Sequence, residues 1–339
     1  KNNFFTEPVE GVVEGYSLPG RHEVDPSAVM AFFYYVLFGM MLSDAAYGLL
    51  TVVGSAFALK KFPDMELKMR KTLRMFLFCG ISTTVWGVLF GSYFGDAIPV
   101  IAQTFFHTEI TVPALWFEPL DDPMRLLIFS FGVGVAHLFT GLGVQFYQLA
   151  KQKKYADALY DVVFWYLLVG GLIVVLLSTE IFQNIAELPF VVPGPVAAVA
   201  GVLAGIGAVG ILFTAGRESR NPVKRFLKGL YGLYGVSSYL SDILSYSRLL
   251  ALGLATSVIS TVFNQLGAML GGGVVGAIFF AVVFLIGHSM NMAINLLGAY
   301  VHTNRLQFVE FFGKFYEGGG RAYAPFAANT KHFQIKEEK

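Results

Sequence analysis

Apolar runs near the roughly 20 residues that cross a bilayer recur along almost the whole chain, separated by short polar stretches. Six of them pair off: Met75 to Phe94 with Leu126 to Leu149, Val162 to Leu177 with Val191 to Phe213, and Tyr239 to Leu270 with Val274 to Tyr300. Each pair predicts one passage out and one back. Runs of this length predict helices rather than a barrel, because a helix satisfies its backbone groups within the span. The first segment, Ala28 to Leu59, is different: about 48 Å at 1.5 Å per residue, it is too long for one upright span and too short for two. One tilted helix and a hairpin turning near Ser43-Asp44 both fit. Asp44 favours the hairpin, since a carboxylate at mid-span is costly and one near a turn is less so. The hairpin brings the total to about eight transmembrane helices, with both termini on one side.

The connections carry their own patterns. Asn221 to Val236 alternates basic and apolar-aromatic positions at helical spacing behind a Pro near the helix start, which predicts an interfacial helix feeding the next span. Asp96 to Pro123 mixes apolar and aromatic residues below spanning length and predicts a re-entrant segment or a surface cap.

Charge orients this plan. The net charge of +1 hides an asymmetry, because Lys and Arg gather at Lys60 to Arg74, Lys151 to Lys154, Arg217 to Lys228 and from Lys314 onward. The positive-inside rule makes all four clusters cytoplasmic. The opposite connections, Asp96 to Pro123, Ser178 to Pro189 and Gly271 to Gly273, contain neither Lys nor Arg. Composition agrees: 55% of the 339 residues are hydrophobic and 14% charged, against about 25% charged in an ordinary soluble domain. The expectation is an all-α integral membrane protein of the cell membrane, with residues 1–26 as a cytoplasmic linker, 27–318 as the membrane domain and 319–339 as a cytoplasmic tail. No nucleic-acid partner is expected.

Cys79 is the single cysteine, so disulfide, zinc and CxxC redox chemistry are set aside. There is no GxxxxGK[ST] loop, HExxH helix or nucleophile elbow, so the chain has no ATP-hydrolysing site of its own and no cofactor is expected. The candidate chemistry is polar groups inside apolar runs. His288, Asn291, Asn295, Gly298, His302 and Arg305 follow at spacings of three and four and lie along one helix face. Polar residues that only hold helices together would give the same stripe, but Arg305 is harder to explain that way. On the preceding helix Ser241, Ser245 and Arg248 share a face, with Asp242 nearby. Counted from Gly271, Arg248 lies about 34 Å down an ideal helix and Arg305 about 48 Å, so snorkelling to headgroups and a functional role after tilting both fit. A guanidinium does not deprotonate in proteins; it acts as a fixed charge that favours the ionised form of a nearby carboxylate. The nearby carboxylates in sequence are Asp242, Glu310, Glu317 and those of the tail, which points to a carboxylate on another subunit.

The runs SYSRLLALGLATS, HTNRLQFVEFFGKFYEGGGRAYAPF and LFGMMLSDAAYG together resemble the membrane half of the V-type ATPase stator subunit, called subunit a in eukaryotes and subunit I in bacteria and archaea. The resemblance extends over nearly the whole chain from Asp25. It implies a cytoplasmic N-terminal domain ahead of residue 1, in keeping with the non-methionine start, and therefore selects the hairpin reading. It also implies two aqueous half-channels beside a rotating ring of small subunits that each carry a buried Glu, with a peripheral stalk, a catalytic head and lipids as further partners. Arg248 and Arg305 match the family's paired arginines, which separate the half-channels and discharge an arriving ring carboxylate. Phe38, Gly39, Asp44 and Tyr47 match the family pattern in the first helices. Proton-pumping eukaryotic relatives carry His at the position of Thr256 and Glu at the position of Asn295. These departures favour Na+ over H+ as the transported cation. His302 is retained, and the short Arg217 to Pro222 loop looks prokaryotic. With Asn291, His288, Ser245, Asp242 and Glu310 these residues form the expected ion path. The competing classes are a secondary transporter, which predicts internal repeats and broken helices, and a membrane anchor indifferent to both arginines.

Overall fold

The computed structural model describes residues 2–20, 23–186, 192–217 and 221–321. The tail beyond 321, positions 218–220 of the third basic cluster and the stretch 187–191 lie outside them. Every regular element among the described residues is helical. In chain order these are α1 (Glu10–Tyr16), α2 (Ser27–Leu42), α3 (Ala45–Lys61), α4 (Leu67–Phe90), α5 (Ala97–Phe106), α6 (Pro123–Lys151) and α7 (Tyr155–Ala158). There follow α8 (Phe164–Leu177), α9 (Glu180–Ala186), α10 (Gly194–Thr214), α11 (Pro222–Tyr234), α12 (Val236–Ser245), α13 (Ser247–Ala268) and α14 (Val274–Arg305). A π-helical turn, Leu159–Val163, joins α7 to α8, and another, Leu306–Phe311, extends α14. Six continuous helical stretches among the described residues are long and apolar enough to cross a membrane; α2 and α3 add the shorter first pair.

The first segment is a hairpin, and its residues explain why. Ser43 closes α2 in the left-handed region at φ 33°. Asp44 then caps α3, accepting hydrogen bonds from Ala46 N at 3.0 Å and Tyr47 N at 3.1 Å, an N-cap that satisfies two otherwise orphaned donors. The two arms do not lie against each other along their length; both pack on α4. Ala45 meets Gly87 and Val52 meets Gly80, so α3 runs antiparallel to α4, while Tyr35 meets Phe78 and Gly39 meets Ser82, so α2 runs with it. The small residues set the distance: a Cβ added to Gly87 would stand 2.0 Å from Ala45 N. Close backbone approach of this kind holds helices together where lipid offers no hydrophobic gain. α2 is apolar on every side and lies at the centre of the bundle, with Met30, Tyr34, Leu37 and Phe38 fully buried, as an all-round apolar helix should.

Two boundaries differ from the sequence expectation. α4 begins at Leu67 rather than near Met75, because its basic first turns are matched by the N-terminal segment: Lys71 pairs with Glu10 at 2.6 Å and Arg74 with Glu7 at 3.3 Å. The residues ahead of the hairpin thus fold onto the bundle, with Val9, Val12 and Val13 buried. The penultimate span is built from α11, α12 and α13, whose continuous helical path covers Pro222–Ala268. α11 is capped by Asn221, which accepts from Val223 N at 3.2 Å, and turns Val223, Leu227, Leu230, Tyr231 and Tyr234 outward.

The segment 96–123 is a surface cap holding α5, which packs on α13. At the other end, Arg217 pairs with Asp157 and Asp161, both at 2.9 Å, and Lys314 pairs with Asp242 at 2.5 Å. Leu18 and Gly320 form an antiparallel bridge, and the Tyr316 hydroxyl donates to Ser17 O at 2.7 Å. The basic loops and both ends of the described chain therefore share one side.

Candidate functional site

The polar stripe on α14 divides into two parts. In the upper part His288, Asn291 and Asn295 are buried against α13 and Tyr47. Asn264 donates to Phe94 O and to Asp96 Oδ1, both at 2.8 Å, which leaves its own Oδ1 to accept from His288 Nε2 at 2.9 Å. His288 Nδ1 then accepts from the Tyr47 hydroxyl at 2.6 Å. Tyr47 in turn accepts from Asn291 Nδ2 at 3.0 Å, and the same amide reaches Ser260 Oγ at 2.8 Å. Asn295 Nδ2 donates to Asn291 O at 2.9 Å. Along the path from Asn264 through His288 and Tyr47 to Asn291, donors and acceptors match with the imidazole hydrogen on Nε2. Thr256 is also buried, and its hydroxyl donates back to Leu252 O at 3.0 Å. These expected ion-path residues face helices of their own chain.

Asp44 anchors this network from above. It is fully buried, and besides capping α3 it accepts from Ser92 Oγ at 2.7 Å, Phe94 N at 3.2 Å and Gly95 N at 2.9 Å. Donors on every side of the carboxylate replace the water it gave up. Of the four residues matched to the family pattern in the first helices, Asp44 and Tyr47 act in this network, while Phe38 is buried and Gly39 packs against Ser82.

The lower part is open. Arg248 Nη1 lies 3.6 Å from Glu310 Oε1; the arginine side chain keeps 23% of its exposure and the carboxylate 2%. Sequence spacing points to a carboxylate on another subunit; within this chain Arg248 also has one beside it, Glu310, carried on the π-helical turn after Arg305. π turns of this kind are frequent at functional sites. Ser245 lies beside Glu310 and donates to Ser241 O at 3.0 Å. His302 is half-buried under the influence of both Arg248 and Arg305. Arg305 is exposed and, among the described residues, has no hydrogen-bond or ion-pair partner; it stands on the same outer face as Ile294, Leu297 and Val301.

Sequence reasoning missed His137, Tyr246 and Gln307. His137 Nδ1 and the Tyr246 hydroxyl are 2.7 Å apart, and the imidazole is stacked between Phe33 at 4.3 Å and Phe311 at 4.4 Å. Gln307 lies alongside it. A single His inside the apolar run of α6 was the available signal. Among the described residues no group of three or more His, Cys, Asp or Glu side chains is placed to hold a metal ion.

Fold and site define a polytopic all-α membrane protein whose last two long helices carry a buried polar seam ending in an arginine pair. Residues 236–328, the stretch that holds both arginines and Glu310, match the V-type ATPase 116kDa subunit family. The whole chain is 33% identical over 344 residues to the A-type ATP synthase subunit I of Pyrococcus horikoshii, covering 48% of that relative. It is 32% identical over 350 residues to the subunit I of Methanocaldococcus jannaschii, covering 96% of this chain and 48% of the relative. A V-type ATP synthase subunit I from Chlamydia pneumoniae is 24% identical over 371 residues, covering 93% of this chain and 53% of the relative. The chain belongs to the V/A-type ATPase subunit a/I family, and it spans about half the length of the curated relatives it matches.

Proposed function

We propose that the chain is the membrane part of a rotary-ATPase stator subunit that forms two cation half-channels against a rotating ring of carboxylate-bearing helices. The observation that carries the reading is the placement of Arg248 and Arg305: one half-open, one exposed, on helices whose outer faces are apolar and unpartnered within the chain. An arginine on an apolar face is costly against lipid and is suited to a partner helix that brings a carboxylate. A guanidinium holds an arriving carboxylate ionised and so displaces the cation it carried. The two arginines also form a positive barrier between an entrance and an exit.

The transported cation in this proposal is Na+, because the seam offers neutral oxygen groups at Thr256 and Asn295 where a proton path would use titratable ones. The ring, the peripheral stalk, the catalytic head and lipids are the proposed partners, the stalk and head being reached through a domain preceding residue 1. The proposed location is a prokaryotic plasma membrane with the basic side cytoplasmic.

The test is ATP-driven uptake of radioactive sodium by vesicles holding the reconstituted complex, with a protonophore, for the parent and Arg248→Ala. The expected result is accumulation in the parent and none in the variant. A pH gradient that depends on Arg248 while sodium stays outside would reassign the cation to the proton. Coupled transport surviving in Arg248→Ala would sink the role of the arginine.

A further inference from the structure

Buried polar atoms in proteins are nearly always hydrogen-bonded. The inner face of the π-helical turn departs from this at neighbouring positions. Gln307 is 0% exposed with both amide atoms unpartnered, Glu310 is 1% exposed with Oε2 unpartnered, and His137 is 0% exposed with Nε2 unpartnered. Arg248 Nη1, although 3.6 Å from Glu310 Oε1, makes no hydrogen bond. The ion pair is therefore close without being locked, and Glu310 Oε2 is held unused beside it, with the Gln307 amide on the same turn next to His137. Ser245 stands beside the carboxylate, its hydroxyl shared as a donor between Ser241 O and Glu310.

We infer that Glu310 is the exchangeable counter-ion of Arg248 and forms, with Gln307 of the same turn, a cation site on the basic side of the protein. The inference rests on the proposed stator reading. When a partner helix presents a carboxylate carrying Na+, the two ion pairs exchange members: the partner carboxylate takes Arg248, and Glu310 takes the sodium. Two pairs enter and two pairs leave, so no charge is left uncompensated in a poorly solvated site, where a lone charge is very costly. An arginine without an in-chain carboxylate would have to release the cation directly into water or leave it unpaired. Carboxylate and amide oxygens are the ligands a hard cation prefers. The guanidinium keeps 23% of its exposure and the carboxylate 2%, so an incoming partner would meet the arginine first, which is the order the exchange requires.

The experiment measures the initial rate of ATP-driven sodium uptake by the whole complex against sodium concentration on the basic side, for the parent, Glu310→Gln, Gln307→Leu and Arg248→Ala. Glu310→Gln is expected to raise the half-saturating sodium concentration about tenfold or more, and Gln307→Leu severalfold. A Glu310→Gln complex that only turns over more slowly, with the parent's half-saturation, would make Glu310 a structural residue and overturn the site. If that variant does not assemble, Glu310→Asp decides, with a severalfold rise expected and an unchanged value overturning the inference. A parent rate independent of sodium overturns the sodium site as well. Uptake surviving in Arg248→Ala would instead overturn the stator reading beneath it.

Discussion

The Tyr246 hydroxyl and His137 Nδ1 lie 2.7 Å apart, joining α6 to the residue that separates α12 from α13, two positions before Arg248. Tyr246 fits there because Gly134 has no side chain; a Cβ would approach the Tyr246 ring to 2.6 Å. The phenol and imidazole thus fix the height and rotation of the arginine-bearing helix.

Replacing His137 by Phe keeps a ring between Phe33 and Phe311 but leaves the buried Tyr246 hydroxyl without its partner. The expected loss of stability is about 1–3 kcal/mol, the cost of an unsatisfied buried polar group. Thermal unfolding of the purified protein in detergent checks it, and a melting temperature equal to the parent's would remove His137 from this role.

Asp44→Asn is the most damaging single-atom exchange expected in the upper half. The carboxylate accepts from Ala46 N, Tyr47 N, Ser92 Oγ, Phe94 N and Gly95 N, and an amide turns one of its two acceptor atoms into a donor facing donors. Hydrogen bonds to a charged group contribute about 1.5–3 kcal/mol each, so a loss above about 3 kcal/mol is expected. Folded yield and thermal stability of the variant measure it; near-parent stability would mean that the loop 92–95 has another anchor.

Gly87→Val tests the packing of the hairpin. With Ala45 N only 2.0 Å from an added Cβ, α3 must move away from α4, and overpacking of a tight contact costs about 1–3 kcal/mol. Cysteine cross-linking between positions 48 and 84, where Gly48 and Thr84 are in close contact, should fall sharply in the variant; efficient cross-linking would show that the helices tolerate the side chain.

Arg217→Ala provides the contrast. The guanidinium contacts Asp157 and Asp161, whose side chains keep 39% and 44% of their exposure. Exposed pairs contribute about 0–1 kcal/mol, so the unfolding midpoint should move little, and less still in high salt. A shift as large as that of Asp44→Asn would contradict this reading.

Residue pattern made much of the fold legible. Apolar run length gave the passages, Asp44 gave the hairpin turn, and basic clusters gathered the loops on one side. It failed where long-range contacts decide. The start of α4 at Leu67 depends on Glu7 and Glu10, more than fifty residues away in sequence, which match its basic turns. In the site, spacing placed His288, Asn291 and Asn295 on one face but could not say that the face meets Tyr47, Ser260 and Asn264. Glu310 is a candidate in the sequence, but its pairing with Arg248 joins residues more than sixty positions apart across a π-helical turn, which spacing along one helix does not show. His137 went unnoticed because a lone imidazole in an apolar helix has no periodic companion.

The bridge between Leu18 and Gly320 has a mechanical consequence. Tension applied to residues 17–20 is resisted directly by residues 316–320, through the Tyr316 hydroxyl on Ser17 O and the Gly319 amide on Ser17 Oγ at 2.8 Å. The load path enters beside the turn that carries Glu310 and bypasses the eight helical passages between. A pull on the start of the chain is thereby delivered within a few residues of the arginine's counter-ion, so the strap works as a tendon as well as a fastening.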